Sequence, residues 1–418
     1  MNLAWLSLSA LATAVIVSCF SELNVGILSL AFAWIIGVYF AGMTVGNVAS
    51  GFPISLFLTL TGVTLLFTQA SQNGTLEKLA HRAMQVCRGN VGLLPIMFFF
   101  VTFALASIGP GNIAGTALVA PMAMAVAGRA GVPMFKMAMM VGMGAGAGSL
   151  SPFAPTGIIV GGVMTKIGLG GFALRTYLNN LLVHAVVAIA AYFILGGWKQ
   201  FKDTYHASEE ESAKATTFES KHWITLAVIA TLIGGVIFFK VDVGMGAFLG
   251  ASILTALKLA DHKEAIKKVP WAVIVMVCGV TVLISILEKT QGLDLFTALL
   301  SKLATADTIT GVIAFVTGLV SVYSSTSGVV LPAFLPTIPG LVERLGGGDP
   351  IAIASAMNIG GHIVDVSPLS TIGALCIAAV PATHDPKDLF NKLMVWGLSM
   401  TVVGAIACYV LFGVLKIP

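Results

Sequence analysis

Apolar segments of roughly membrane-spanning length follow one another along almost the whole 418-residue chain. The first three lie at about Leu3 to Phe20, Val25 to Gly42 and Gly51 to Gln69, and each approaches the roughly 20 residues that a helix needs to cross a bilayer. Hydrophobic residues make up 57% of the chain and charged residues only 10%, and the mean hydropathy is +0.98. No soluble domain of this length carries so much apolar surface, so the sequence predicts an all-α polytopic membrane protein embedded in a lipid bilayer.

The charged residues and the cysteines exclude several other classes of protein. The net charge of +4 includes no basic run interleaved with aromatic residues, so no nucleic-acid partner is expected. The five cysteines are scattered without metal-ligand spacing, and no paired carboxylates or nucleophile-base set is expected at membrane depth. The chain is therefore not expected to be an enzyme or to hold an organic cofactor. The first twenty residues are interpreted as a membrane helix rather than a signal peptide, because no Lys or Arg precedes their apolar run.

Two apolar stretches in the first half are interrupted by proline and glycine. SIGPGNIAG (Ser107 to Gly115) interrupts residues 92–128, which are too long for one span, so the sequence predicts a re-entrant hairpin of two short helices. SLSPFAPTG (Ser149 to Gly157) interrupts residues 134–167 and predicts a broken helix with an unwound centre. Upstream, Thr75 to Arg88 has one apolar and one charged face, which predicts an interfacial amphipathic helix.

The second half repeats this order after a polar cytoplasmic linker at residues 198–221. Its hairpin is predicted at residues 308–342, with the tip sequence SVYSSTSG, and its broken helix at residues 351–380, with the break DVSPLSTIG. Three residues of the first break recur 216 positions later in the second: Ser151, Pro152 and Gly157 correspond to Ser367, Pro368 and Gly373. The chain is therefore predicted to consist of two repeats, residues 1–197 and 222–418.

The number of membrane crossings determines how the two repeats are oriented. Each repeat is predicted to have five transmembrane helices, one of them broken, and one re-entrant hairpin, so the second repeat enters the membrane from the opposite side. The repeats are therefore predicted to be inverted. With the amino terminus outside, 15 of the 22 Lys and Arg residues fall on the cytoplasmic side, as the positive-inside rule requires. Both termini are predicted to lie outside.

Paired hairpins and paired broken helices are typical of secondary transporters, whose site lies near the midplane where the irregular segments meet. An unwound helix exposes N–H groups at the start of one half-helix and C=O groups at the end of the other. The N–H groups suit an anion and the C=O groups suit a small cation. Serine, threonine and asparagine add neutral oxygens, so these segments indicate a site for sodium and a carboxylate together.

Three motifs carry a family resemblance: SIGPGNIAGTALVAP, with NGTLEKLA upstream and SPFAPTGIIV downstream. They resemble the malonate and dicarboxylate carriers of the MatC type, in the divalent anion/sodium symporter branch of the ion transporter superfamily. The resemblance implies uptake of a small dicarboxylate, such as malonate or a C4-dicarboxylate, coupled to two or more sodium ions. It also implies a homodimeric elevator transporter of the bacterial inner membrane, with a scaffold that dimerises and a mobile domain that holds both hairpins and both broken helices.

The resemblance also implies a set of site residues. The broader symporter group carries a Ser-Asn-Thr triplet at each hairpin tip, and only Asn112, Ser324 and Thr326 match it residue by residue. The residues implied for the substrate are Asn112, Thr156, Ser324, Thr326 and Thr371. Those implied for a first sodium ion are Ser107, Asn112, Ser149 and Ser151, and those for a second sodium ion are Ser325, Asp365, Ser367 and Ser370.

Asp365 has no counterpart in the first repeat, where Ser149 takes its place. A second hypothesis is therefore a proton-coupled dicarboxylate carrier, or a cation/proton antiporter in which Asp365 binds a proton and a metal ion in turn. His362 lies three residues before Asp365, so the two share a helix face and the sequence allows them to satisfy each other. His184 and Glu288 are interpreted as groups at the ends of spans.

Overall fold

The computed structural model describes residues 2–20, 23–84, 90–204 and 217–417. Throughout these ranges the chain is helical, apart from turns and a single antiparallel bridge between Asn90 and Thr204. The last residues of the expected amphipathic helix and half of the expected linker lie outside the described residues.

The helices of the first half are separated by glycine and proline. They are Leu3–Phe20, Val25–Trp34, Val45–Ala49, Ile54–Gln72, Thr75–Met84, Leu93–Ile108, Gly111–Ala130, Met134–Gly148, Pro155–Lys166 and Ala173–Ile194. The sixth ends at Ile108 because Gly109 and Gly111, on either side of Pro110, have φ of +149° and +79°. The next helix ends at Ala130, and Gly131, which follows it, has a φ of +69°, the left-handed conformation common after a helix.

The helices of the second half follow a similar order. They are Ser220–Phe239, Val243–Ala256, His262–Lys268, Trp271–Lys289, Gly292–Ser301, Ile309–Ser321, Leu331–Phe334, Ile338–Leu345, Pro350–Ile363, Thr371–Ala378 and Pro386–Cys408. Several begin directly after an aspartate whose side chain accepts a backbone N–H from the first turn: Asp242, Asp261, Asp349 and Asp385. Such caps satisfy donors that a helix start leaves unpaired.

Seven helical stretches among the described residues are long and apolar enough to cross a membrane. They are Ile54–Gln72, Gly111–Ala130, Gly170–Ile194, Ser220–Phe239, Trp271–Lys289, Thr326–Leu345 and Pro386–Val414. The chain is thus a multi-pass membrane protein. Two of these stretches, Gly111–Ala130 and Thr326–Leu345, are the second arms of the segments expected as hairpins. At 20 residues each they are longer than the first arms of 16 and 13 residues, so the two arms of each segment are unequal.

The centre of the molecule is formed by two helices that precede the breaks, Met134–Gly148 and Pro350–Ile363. Every residue from Met137 to Gly148, and every residue from Ile351 to Ile363, is buried. The first central helix packs on Leu93–Ile108, Gly111–Ala130 and Ala173–Ile194, and the second packs on Ile309–Ser321, Pro386–Cys408 and Ala173–Ile194. The polar breaks therefore begin inside the protein rather than at a lipid-facing surface.

The two central helices make matching close contacts through glycine. A Cβ atom at Gly144 would lie 2.3 Å from the Phe99 carbonyl oxygen, and one at Gly360 would lie 2.2 Å from the Ala314 carbonyl oxygen. Gly360 follows Gly144 by 216 residues, the spacing that relates the two breaks in the sequence. Both helix pairs approach so closely because neither position carries a side chain.

Outer helices pair across the two halves of the chain in the same manner. Helix Val25–Trp34 crosses Trp271–Lys289, where a Cβ atom at Gly279 would lie 2.1 Å from the Gly26 carbonyl oxygen. Helix Ile54–Gln72 crosses Val243–Ala256, where a Cβ atom at Gly62 would lie 2.5 Å from the Gly244 carbonyl oxygen. Each half thus contributes one helix to each crossing.

Candidate functional site

A polar cavity of about 390 Å³ lies where several interruptions meet. It is lined by the tip between the arms of the second hairpin segment, by the second break and by the start of helix Gly111–Ala130. Of the residues predicted for a site, those that line the cavity are Asn112, Ser324, Ser325, Thr326, Asp365, Ser370 and Thr371. Those that do not are Ser107, Ser149, Ser151, Thr156 and Ser367.

Outer helices supply the opposite wall of the cavity. Asn24 and Val25, at the start of one outer helix, line it together with Ala272 and Met276 from another. The Asn24 amide joins these two helices, because its Nδ2 donates to the Ala272 carbonyl oxygen at 2.8 Å and its Oδ1 accepts from the Gly26 N–H at 2.9 Å. The cavity therefore lies between the central bundle and the outer helices. The role of Asn24 could not be predicted from the sequence.

Asp365 is the centre of the hydrogen bonds at the second break. Its side chain is only 9% exposed, and Thr326 Oγ1 donates to Asp365 Oδ1 at 2.7 Å and to the Gly361 carbonyl oxygen at 3.2 Å. The Ser370 hydroxyl donates to the carbonyl oxygen of Asp365 and accepts from the Gly373 N–H at 3.2 Å. The second tip and the second break are thus joined through the carboxylate.

The charge of the cavity is unbalanced. Among the described residues that line it, Asp365 is the only carboxylate and none is Lys or Arg. A dianion that entered beside Asp365 would meet a negative charge in a place with little water, which is strongly unfavourable without cations. Hydroxyl, amide and carboxylate oxygens are the ligands that hard cations prefer.

The predicted serines of the first break make hydrogen bonds to backbone carbonyls. Ser151 Oγ donates to the Ser107 carbonyl oxygen at 2.6 Å, and Ser149 Oγ donates to the Gly146 carbonyl oxygen at 2.7 Å. The Ser107 hydroxyl lies 2.9 Å from the Tyr177 hydroxyl, a partner that the sequence did not indicate. A hydroxyl that donates its hydrogen keeps its lone pairs, so these bonds are compatible with cation binding.

Asn112 connects the first break with the cavity. Its neighbour Gly111 lies against Pro155 of the first break, where an added Cβ atom would lie 2.8 Å from Pro155 Cδ. The helix that begins here also packs against Thr371–Ala378, which follows the second break. Asn112 and Thr371 both line the cavity, so this helix start lies against the first break and shares the cavity with the second.

Two interpretations of histidines were wrong. His362 Nδ1 lies 2.8 Å from the Asn358 carbonyl oxygen, and Asp365 receives its side-chain bond from Thr326, so the histidine and the aspartate do not satisfy each other. His184 is not at the end of a span, since it lies within helix Ala173–Ile194 and its side chain is fully buried. Helical spacing allows His362 and Asp365 to pair, but Thr326, on another segment, donates to the carboxylate instead.

A second polar cluster lies behind the cavity, between helix Ala173–Ile194 and helix Pro350–Ile363. The Asn179 amide donates to Ser355 Oγ at 2.9 Å, and the Asn180 amide donates to the Gly146 carbonyl oxygen at 2.8 Å. Four buried atoms of this cluster have no hydrogen-bond partner among the described residues: Asn180 Oδ1, His184 Nε2, Asn358 Oδ1 and His362 Nε2. The matching Asn-x-x-x-His spacing in the two helices was the signal that could have identified this cluster.

Two solved structures have a similar fold. MtrF of Neisseria gonorrhoeae, described in connection with a class of antimetabolite efflux pumps, is 14% identical over 96% of this chain and 97% of its own, with a TM-score of 0.60. The YdaH transporter of Alcanivorax borkumensis, described as having an unusual topology, is also 14% identical, over 98% of this chain and 97% of its own, with a TM-score of 0.58. The fold is thus one found in membrane transporters.

The first part of the sequence matches a family. A family model described as the dicarboxylate carrier protein MatC N-terminus matches residues 1–149, which confirms the resemblance to the MatC-type carriers. No curated protein sequence matches the chain. Together, the fold and the family match indicate a membrane carrier of a small molecule rather than an enzyme.

Proposed function

We propose that this protein is a secondary active transporter that takes up a small dicarboxylate, such as malonate or a C4-dicarboxylate, together with sodium ions. The cavity around Asp365 is the observation that carries the proposal. It offers hydroxyl and amide groups for an anion but, among its described lining, no Lys or Arg to balance one. Sodium ions that enter with the substrate supply the missing positive charge. The transport of the dicarboxylate is thereby coupled to the transport of sodium.

Two sodium sites are proposed from the same contacts. The first takes oxygens of Ser107, Asn112, Ser149 and Ser151, where the tip and the first break are already joined by a hydrogen bond. The second takes oxygens of Ser325, Asp365, Ser367 and Ser370, with the carboxylate as its only charged ligand. Substrate carboxylates then contact Asn112, Ser324, Thr326 and Thr371 in the cavity and Thr156 at the start of the helix after the first break.

We further propose that two inverted repeats form a homodimeric elevator transporter. In it a scaffold dimerises, and a mobile domain that holds both hairpins and both broken helices moves. Support comes from the glycine contacts and helix crossings that recur with a spacing near 216 residues. Support for relative movement comes from the position of the cavity, which is walled on one side by the central bundle and on the other by outer helices. We also propose the bacterial inner membrane as the location, as the family resemblance implies. The distribution of the basic residues favours an orientation with both termini outside.

The decisive experiment is uptake by purified protein in proteoliposomes. Malonate, succinate and a monocarboxylate of similar size are compared under an imposed sodium gradient, an imposed proton gradient and no gradient. We expect a dicarboxylate to accumulate with the sodium gradient and the monocarboxylate not to accumulate. Accumulation of neither dicarboxylate under any gradient would reject the proposal.

A cation/proton antiporter remains the second candidate because a buried carboxylate lines the cavity. In that case Asp365 binds a proton on one side of the membrane and a metal ion on the other. A sodium gradient would then drive proton movement in proteoliposomes without any dicarboxylate. A pH-sensitive dye inside the vesicles measures this directly.

Replacing Asn112 by alanine tests the link between the first break and the cavity. We expect Asn112→Ala to weaken the apparent affinity for both sodium and the dicarboxylate by about tenfold, since a lost polar contact to a charged group costs roughly 1.5–3 kcal/mol. Initial uptake rates against the concentration of each solute measure the effect. The control is Asn47→Ala, which alters an exposed asparagine on a short helix. Uptake by Asn112→Ala that equals wild type would remove Asn112 from both sites.

A further inference from the structure

An apolar groove of about 670 Å³ opens between helix Ala173–Ile194 and helix Pro386–Cys408. Its walls include Val186 and Ile194 on one helix and Val395 and Val403 on the other, and all four side chains are exposed at the protein surface. In a multi-pass membrane protein such a surface faces lipid. From Asn391 to Val403 the groove follows its helix for about 18 Å, roughly half the thickness of the hydrocarbon core of a bilayer.

One end of the groove is polar. Asn391 and Lys392 line it there, and Trp396 follows one turn later. The Trp396 side chain is 8% exposed and packs edge-to-face on Phe135, with the ring centroids 6.0 Å apart. Trp396 Nε1 is a buried donor without a hydrogen-bond partner among the described residues. A buried N–H group of this kind favours an acceptor brought in by a ligand.

Positive charge gathers at the same end. Lys136 follows Phe135 in the chain, and Lys199 comes four residues after Leu195, another residue of the groove. The two ammonium groups are close enough for their like charges to repel each other. Lys392 Nζ forms an exposed ion pair with Asp388 at 2.7 Å. Three lysines and one aspartate leave an excess of positive charge, which an anion would relieve.

We propose that the groove binds one anionic phospholipid, with an acyl chain along the valine-lined wall and the phosphate at Trp396 Nε1 and the lysines. The length of the groove fits an acyl chain that reaches from the interface to the middle of the bilayer. Tryptophan and lysine at a membrane interface are the side chains that contact lipid headgroups. A zwitterionic phospholipid has the same acyl chains but no net negative charge. Binding of the anionic and the zwitterionic lipid therefore differs only through the headgroup.

The test measures lipid binding to the purified, detergent-solubilised chain. The midpoint of thermal unfolding is followed during titration with phosphatidylglycerol or with phosphatidylcholine of the same acyl chains. We expect phosphatidylglycerol to bind wild type about tenfold more tightly. Trp396→Phe, which keeps the ring and removes the N–H, and Lys136→Gln with Lys199→Gln are each expected to remove most of that preference.

Matched controls and a second measurement keep the outcome clear. Trp223→Phe with Lys221→Gln removes an exposed tryptophan and an exposed lysine away from the groove, and the preference should persist. Native mass spectrometry counts the retained phosphatidylglycerol in any variant whose unfolding is altered. Equal binding of the two lipids by wild type, or an undiminished preference in the groove variants, would overturn the proposal. So would an equal shift caused by inorganic phosphate, which would indicate a site for a soluble anion. None of these readings depends on transport of a dicarboxylate.

Discussion

Replacing Asp365 by asparagine is expected to reduce the stimulation of uptake by sodium about tenfold or more. Asparagine keeps the size of the side chain and can still accept the hydrogen bond from Thr326, which is 2.7 Å long in the wild type. What it loses is the only negative charge on the described lining of the cavity. A hydrogen bond or ion contact to a charged group contributes roughly 1.5–3 kcal/mol, which corresponds to at least about one order of magnitude in affinity.

Initial uptake rates in proteoliposomes, measured against sodium concentration, test this expectation. The ratio of malonate to succinate uptake should change little, since the hydroxyl and amide groups of the cavity remain. Asp349→Asn is the matched control, because Asp349 is exposed and caps a helix, and asparagine caps equally well. An unchanged sodium dependence would remove Asp365 from the second cation site. If uptake by Asp365→Asn no longer depended on the proton gradient but still depended on sodium, the result would instead favour the proton-coupled alternative.

Alanine at Gly360 is expected to destabilise the protein by about 1–3 kcal/mol, the usual cost of forcing an additional group into a packed interior. The added Cβ atom would lie 2.2 Å from the Ala314 carbonyl oxygen and 2.6 Å from Ala314 Cα. Both are backbone atoms, so neither can rotate away, and the two helices must separate. Because Gly361 lies on the same helix and bonds to Thr326, the separation should also weaken the second half of the site.

The midpoint of thermal unfolding of the detergent-solubilised protein measures the loss for Gly360→Ala. Gly144→Ala, with its Cβ atom 2.3 Å from the Phe99 carbonyl oxygen, should behave in the same way. Gly161→Ala is the control, since no atom lies within 4 Å of its added Cβ atom and alanine favours a helix over glycine by about 1 kcal/mol. An unfolding midpoint for Gly360→Ala as high as that of Gly161→Ala would show that the helices can separate without cost.

The positions of the interruptions were readable from the sequence, whereas the shape of the site was not. Proline and glycine act on their own backbone, so Pro110 and the glycines beside it mark a helix end wherever the chain lies. Both breaks were expected to supply sodium ligands, yet the cavity takes Asp365 and Ser370 from the second break and leaves Ser149 and Ser151 of the first outside it. Which way a side chain points depends on neighbours far away in the chain.

The roles of residues whose partners lie far away in the chain could not be predicted from the sequence for the same reason. Asn24 lies 248 positions from the Ala272 carbonyl that it binds. His184 was interpreted as a group at the end of a span, although it lies within its helix and is fully buried. Periodicity describes one helix at a time, so it does not reveal a polar cluster that is shared between helices.

The helix start at Gly111 and Asn112, which lies against the first break and shares a cavity with the second, has a thermodynamic consequence. Gly111 lies against Pro155, and Asn112 lines the same cavity as Thr371, so a ligand that orders this helix start at the first break also orders it for the cavity. Under the proposed function, sodium at the first break and a dicarboxylate in the cavity share Asn112. Each should then raise the affinity for the other by the same factor, because coupling free energies are reciprocal. The empty protein would bind sodium or the dicarboxylate only weakly. The fully loaded form would then be the one that carries its ligands from one side of the membrane to the other.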